Sequence, residues 1–185
     1  MSKITKNNKD KIIIIAFFTA FAATLYLAEN LIPRPLPFLK FGLANIVVLI
    51  LLFQKKTGIA FIVGISKTII GGFLSGTLFN PSTVFSLVGT LGSLLVMIFF
   101  LKFHIGFSLI GISILGAVTH NICQIFSVRL ILIRDDSIYY LIPMLIIIGL
   151  VTGFVTGYFA NMLKPFFDSI FQLIDKNIQP IGKSE

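Results

Sequence analysis

Residues 64–76 read GISKTIIGGFLSG, and in the wider window 58–79, 22 residues long, Lys67 is the sole charge. That length is about what a helix rising ~1.5 Å per residue needs to cross ~30 Å of hydrocarbon. An ammonium near the centre of such a run costs at least ~2.5–3.5 kcal/mol on insertion scales, so it must face a partner or a wet cavity. Two chemistries suit it: a buried ion pair with Glu29, or a counter-charge for an anionic group such as carboxylate or phosphate. Gly64, Gly71 and Ser75 share its helical face at i−3, i+4 and i+8. Small side chains there are expected to leave volume beside the ammonium, which favours a ligand over a packed pair.

A second constellation is AVTHNICQ, 117–124. His120 and Gln124 stand four apart and point the same way on a helix, with Asn121 adjacent. Three hydrogen-bonding side chains on one turn either fix a polar ligand or bind neighbouring helices together. Glu29 and Asn45 add two more polar groups to apolar surroundings. Arg129 lies nine positions past His120, about half a turn off that face, and suits snorkelling to the surface better than ligand contact. A third pattern is the stripe Ala16, Ala20, Thr24 and Ala28, small residues every four positions. Such a stripe lets a second helix approach closely, either from the same chain or from a separate membrane subunit.

These residues need elements to position them, and composition says which kind. The chain has 185 residues, 56% hydrophobic and 12% charged, with a mean hydropathy of +1.00. A soluble domain carries about 25% charged residues, so this is an integral membrane protein and the expected fold is all-α. Apolar runs at about 12–32, 41–53, 58–79, 82–101, 107–133 and 138–163 predict a polytopic bundle of about six transmembrane helices. The second run is short. Pro81, behind FNPS, suits the first turn of the fourth helix. The basic N-terminus followed by an apolar run has the look of a signal peptide, but the run is too long and no A-x-A site closes it.

Assigning Lys and Arg to the loops puts ten on one side (Lys3, Lys6, Lys9, Lys11, Lys55, Lys56, Lys102, Lys164, Lys176 and Lys183) and three on the other (Arg34, Lys40 and Arg134). The positive-inside rule then places both termini in the cytoplasm of a cell whose plasma membrane the chain crosses. The expected organisation is a cytoplasmic segment 1–11, a transmembrane domain 12–163 and a cytoplasmic amphipathic tail 164–185 containing Phe166, Phe167, Ile170 and Phe171. In this parse the polar groups within spans gather in the outer half, and the inner half is nearly pure hydrocarbon.

Composition also narrows function. The excess of basic residues sits in loops, where topology explains it, so nucleic acid is not an expected partner. One cysteine, Cys123, excludes an internal disulfide and a CxxC pair, and two histidines, His104 and His120, offer little for a metal or haem. No cofactor or metal is expected. No GxxxxGK[ST] loop is present, so the chain does not hydrolyse ATP itself. No Ser-His-acid or Cys-His grouping is readable, and an enzyme is not expected.

KFGLANIVVLILL (40–52), GISKTIIGGFLSG (64–76), GAVTHNICQ (116–124) and GLVTGFVTG (149–157) together resemble the Gx transporter family, also described as heptaprenyl diphosphate synthase component I. The likeness runs in order over about 12–163, and KxGLAN and AVxHNxxQ are its more specific elements. By kinship the family is similar to the substrate-binding S-components of energy-coupling factor (ECF) transporters, six-helix membrane proteins that capture vitamins or related solutes. The resemblance implies a small solute held by Lys67, His120, Asn121, Gln124, Asn45 and Glu29. It implies partners too: a transmembrane coupling subunit docked through the AxxxA pattern at Ala16 and Ala20, which the stripe extends to Thr24 and Ala28, and ATPase subunits. Where the family's third span would carry arginine, this chain has Lys67, so the charge is kept but the bidentate fork is not. The synthase description fits the residues poorly. Prenyl elongation by the usual synthases needs two aspartate-rich clusters for magnesium, and the one adjacent acidic pair here is Asp135-Asp136. The alternative role is an accessory membrane protein of quinone or prenyl-lipid metabolism, or of flavin-linked extracellular electron transfer.

Overall fold

The computed structural model describes residues 2–31, 42–103 and 106–178, with side chains for 11–31, 42–103 and 106–173. Arg34, Lys40, His104 and Lys183 lie outside the described residues. The described residues form six α-helices: α1 Ser2–Asn30, α2 Asn45–Phe53, α3 Thr57–Leu74, α4 Pro81–Lys102, α5 Leu109–Ile131 and α6 Ile142–Ile178, with a 3₁₀ turn at Asp136–Leu141 before the last. Five of them, all but α2, are long and apolar enough to cross a membrane. The protein is thus an all-α polytopic membrane bundle.

Helix starts follow local chemistry. Asn80 accepts the Ser82 amide at 3.1 Å ahead of Pro81, so α4 begins where the sequence predicts. Proline there loses nothing, because the first amides of a helix have no intrahelical acceptor. Ser108 accepts the Gly111 amide at 3.1 Å and opens α5 in the same way.

The second run departs from expectation. It yields nine helical residues, about 14 Å of helix at ~1.5 Å per residue, which is too short to cross ~30 Å of hydrocarbon by itself. Ile46, Val47, Val48, Leu49, Ile50, Leu51 and Leu52 are all buried. A helix apolar on every face belongs inside, and α2 touches each of the other five helices. It is the core around which the rest assemble.

The α5–α6 pair is set by glycine. Gly149, Gly153 and Gly157 recur every four residues, and a Cβ on them would lie 2.9, 2.6 and 2.8 Å from the Cα atoms of Val118, Ile114 and Ile110. The two backbones meet without side chains between them, the way small residues bring helices together in lipid.

At the end carrying Lys11, Lys55, Lys56, Lys102 and Lys164, α1, α2 and α6 interlock. Phe18 stacks between Phe167 (5.2 Å) and Phe171 (5.0 Å). Lys56 Nζ sits 3.6 Å from the Phe171 ring centroid, and Gln54 Nε2 donates to Asp168 Oδ1 at 2.6 Å. The segment expected as a separate tail from 164 therefore continues α6 as far as Ile178, through Pro165. Its face bearing Phe167 and Phe171 is held by the bundle. Pro165 removes one amide from the ladder, yet burial of these two rings keeps the helix in place.

Candidate functional site

Polar residues of five helices converge near the end opposite the lysines. Glu29 and Tyr26 of α1, Asn45 at the start of α2, Lys67 of α3, Ser86 and Thr90 of α4 and His120 of α5 line one small cavity, with Gly42 and Ala44. Lys67 and Glu29 are 3% and 2% exposed. Both charges therefore point into the bundle and away from lipid, as intramembrane ionisable groups must.

The turn 42–45 holds them. Gly42, at φ +83°, takes a left-handed conformation that glycine adopts freely. Its amide donates to Glu29 Oε1 at 2.7 Å, and its carbonyl accepts the Asn45 amide at 2.8 Å. Lys67 Nζ donates to Asn45 Oδ1 at 2.5 Å. The sequence element KxGLAN thus supplies the groups that satisfy both buried charges.

A second cavity adjoins the first and shares Gly42, Asn45 and His120 with it. Asn121 lines it, and its Nδ2 donates to the Leu145 carbonyl of α6 at 3.0 Å. Ser93, Ser113, Thr152 and Thr156 carry the lining beyond the midpoint of α5 towards the lysine-rich end. The lysine-rich half, expected to face inward, is therefore less purely hydrocarbon than the sequence predicts. Those hydroxyls escaped notice because serine and threonine in apolar helices commonly back-bond to their own turn. Ser93 does so to the Thr90 carbonyl at 2.9 Å. Their spacing was the available signal: Ser86, Thr90 and Ser93 lie on one face of α4, and Thr152 and Thr156 on one face of α6.

Space is tight. The two cavities offer about 10 and 20 Å³ to the centre of a water molecule, room for about one water each. The volume expected beside Lys67 is occupied by neighbours. A Cβ at Gly71 would fall 2.4 Å from the Tyr26 ring, and one at Gly64 3.0 Å from Leu94. The Ser75 hydroxyl is turned to Thr77 at 2.8 Å. Glycine on α3 admits other side chains where a void was expected. On α4, Gly89 serves His120 likewise, since a Cβ there would lie 2.9 Å from the imidazole.

Of the residues predicted to bind solute, Glu29, Asn45, Lys67 and His120 meet on one cavity and Asn121 on the adjoining one. Gln124 lines neither. It is 1% exposed, and its Nε2 has no hydrogen-bond partner. Arg129 stands apart at the rim, paired with Asp136 at 2.8 Å, and Asp135 caps the 3₁₀ turn through the Ser137 amide at 2.9 Å. That hydrogen bond holds the Asp135 carboxyl below its ordinary range.

Ala16, Ala20, Thr24 and Ala28 are all exposed, on the opposite face of α1 from buried Phe18, Ala22 and Tyr26. Ala16, Ala20 and Thr24 floor a groove of about 550 Å³ whose far wall is Ser66, Ile70 and Leu74 of α3. Among the described residues, no helix of this chain covers the stripe.

The fold and site define a multi-helix membrane protein with a buried, charge-bearing polar centre. A family model described as heptaprenyl diphosphate synthase component I matches residues 18–163, and the chain belongs to that family. Searches of curated proteins and of solved structures gave no match.

Proposed function

We propose that this chain is the solute-capturing membrane subunit, S-component-like, of an ECF-type transporter. It takes a small solute bearing an anionic group from outside the cell, for uptake driven by partner ATPases through a transmembrane coupling subunit. One observation carries the reading: a buried lysine, carboxylate, histidine and asparagine from four helices share one cavity wall. Groups this costly to bury are hard to explain as packing alone, since hydrophobic replacements of similar volume are often as stable.

Lys67 supplies the positive charge for the solute, Asn121 and His120 supply hydrogen bonds, and Asn45 holds the Lys67 ammonium until the solute arrives. The cavities as they stand hold little more than water, so admitting a solute requires outward movement of the 42–45 turn. The exposed small-residue stripe on α1 suits close docking of the coupling subunit. The positive-inside count supports a plasma-membrane location with both termini cytoplasmic, which puts the polar centre on the outer side. A non-enzymatic role is supported by Asp135 and Asp136, whose carboxylates serve the outer turn.

The test is native mass spectrometry of the chain purified from its own membrane, with uptake assayed in parallel. A small molecule should co-purify with the wild type and be lost from Lys67→Ala, together with uptake. Protein that retains no small molecule, combined with unchanged uptake in Lys67→Ala, sinks the reading. A second reading is an accessory role in quinone or prenyl-lipid metabolism, which draws on the family's description, or in flavin-linked electron transfer. The phenylalanine cluster that would line a lipid tail sits at the lysine-rich end, away from the polar centre.

A further inference from the structure

Glu29 and Lys67 line the same cavity, yet they do not approach within 4.0 Å of each other. Neither serves as the other's direct partner. The Gly42 amide donates to Glu29 at 2.7 Å, and Asn45 Oδ1 accepts from Lys67 at 2.5 Å. A four-residue turn, closed by its own 2.8 Å hydrogen bond, thus presents one N–H to the buried carboxylate and one oxygen to the buried ammonium.

This arrangement constrains what can bind. Counting His120 as neutral, the described residues of the cavity wall carry one positive and one negative charge. A solute with an acid group alone would compensate Lys67 but leave the site with an unmatched negative charge beside Glu29. Unmatched charge in a buried site is strongly unfavourable. A solute carrying an acid group and an amino group a short distance apart satisfies both ends and keeps the site neutral. Neutral dipoles are also weaker partners for buried ions than charged groups are. Such a solute therefore has something to gain by replacing the turn.

Resting on the capture reading above, we infer that the solute is zwitterionic. Its acid group displaces Asn45 Oδ1 from Lys67, and its ammonium displaces the Gly42 amide from Glu29. The 42–45 turn is then a built-in surrogate for the charged end of the solute. Binding and turn movement are one exchange of partners.

The experiment uses the full chain in detergent and three probes at equal millimolar concentration: glycine, N-acetylglycine (acid only) and glycinamide (amine only). Thermal unfolding is followed in each. Glycine should raise the unfolding temperature of the wild type more than either single-charge probe. Glu29→Gln should weaken apparent glycine binding at least about tenfold, a change of ~1.4 kcal/mol, and bring N-acetylglycine level with it or ahead. Asn45→Ala keeps both charges and removes the surrogate acceptor, so it should bind glycine more tightly than the wild type. A merely structural asparagine would not produce that gain. The inference is overturned if N-acetylglycine matches glycine on the wild type, if Glu29→Gln leaves the order unchanged, or if none of the three probes stabilises the chain. Any of these results leaves the capture reading standing when a singly charged anion still co-purifies and is lost from Lys67→Ala.

Discussion

At the residue scale, the buried charges make the sharpest demand on the chain. Lys67→Met leaves Glu29 buried without a compensating charge, and Glu29→Gln does the reverse. Leaving a buried charge uncompensated typically costs ~3–5 kcal/mol. The double variant should lose clearly less than the sum of the singles, because neither charge is then stranded. Unfolding temperatures of the four proteins close that cycle, and strict additivity would show that the two groups do not interact. Gln124 makes a different demand. Its buried Nε2 has no protein partner, and an unmet donor costs ~1–3 kcal/mol. Gln124→Leu should therefore raise the unfolding temperature, and if the amide is held ready for solute, the same variant should retain less co-purified small molecule. The charged and amide residues were legible in the sequence because they are rare within apolar runs. Their pairing was not. That Lys67 reaches Asn45 and Glu29 reaches Gly42 depends on a turn folded back among four helices, which no local pattern encodes.

At the element scale, long periodic runs were readable and short or continuous ones were not. The 41–53 run was apolar enough to suggest a span, but hydropathy does not separate a lipid-facing helix from one wrapped by other helices. The end of the apolar run at 163 suggested a boundary, and the rings at 167 and 171 carried the helix past it. Glycines show why spacing alone misleads: Gly58 and Gly153 look alike in sequence, yet they have opposite surroundings. A Cβ at Gly58 meets nothing within 4 Å, whereas one at Gly153 lies 2.6 Å from the Ile114 backbone. Gly58→Ala should be neutral or stabilising by up to ~1 kcal/mol, the helix-propensity difference. Gly153→Ala must push α5 and α6 apart and should cost ~1–3 kcal/mol, as overpacking does. Thermal unfolding of both, side by side, checks this, and equal effects would contradict the close backbone approach.

At the scale of the whole molecule, the proposed function assigns capture to the interior and docking to the outer face. The polar centre is reached through α1–α5, while the exposed side of α1 bears none of those groups. That separation makes capture and docking independently breakable. Ala20 is exposed on the floor of the α1–α3 groove, where a larger side chain meets open space in the isolated chain. Ala20→Leu should therefore leave folding and the co-purified small molecule unchanged. In an assembled transporter the same branch occupies the space a partner helix needs, and close packing between membrane helices tolerates little added volume. Pull-down from the native membrane should then recover the wild type with coupling and ATPase subunits, and Ala20→Leu without them. Glu29→Gln should behave oppositely, keeping the partners and losing the small molecule. If Ala20→Leu retains its partners in full, the groove is not the docking surface. The exposed small residues would then need another explanation, such as contact between two copies of this chain.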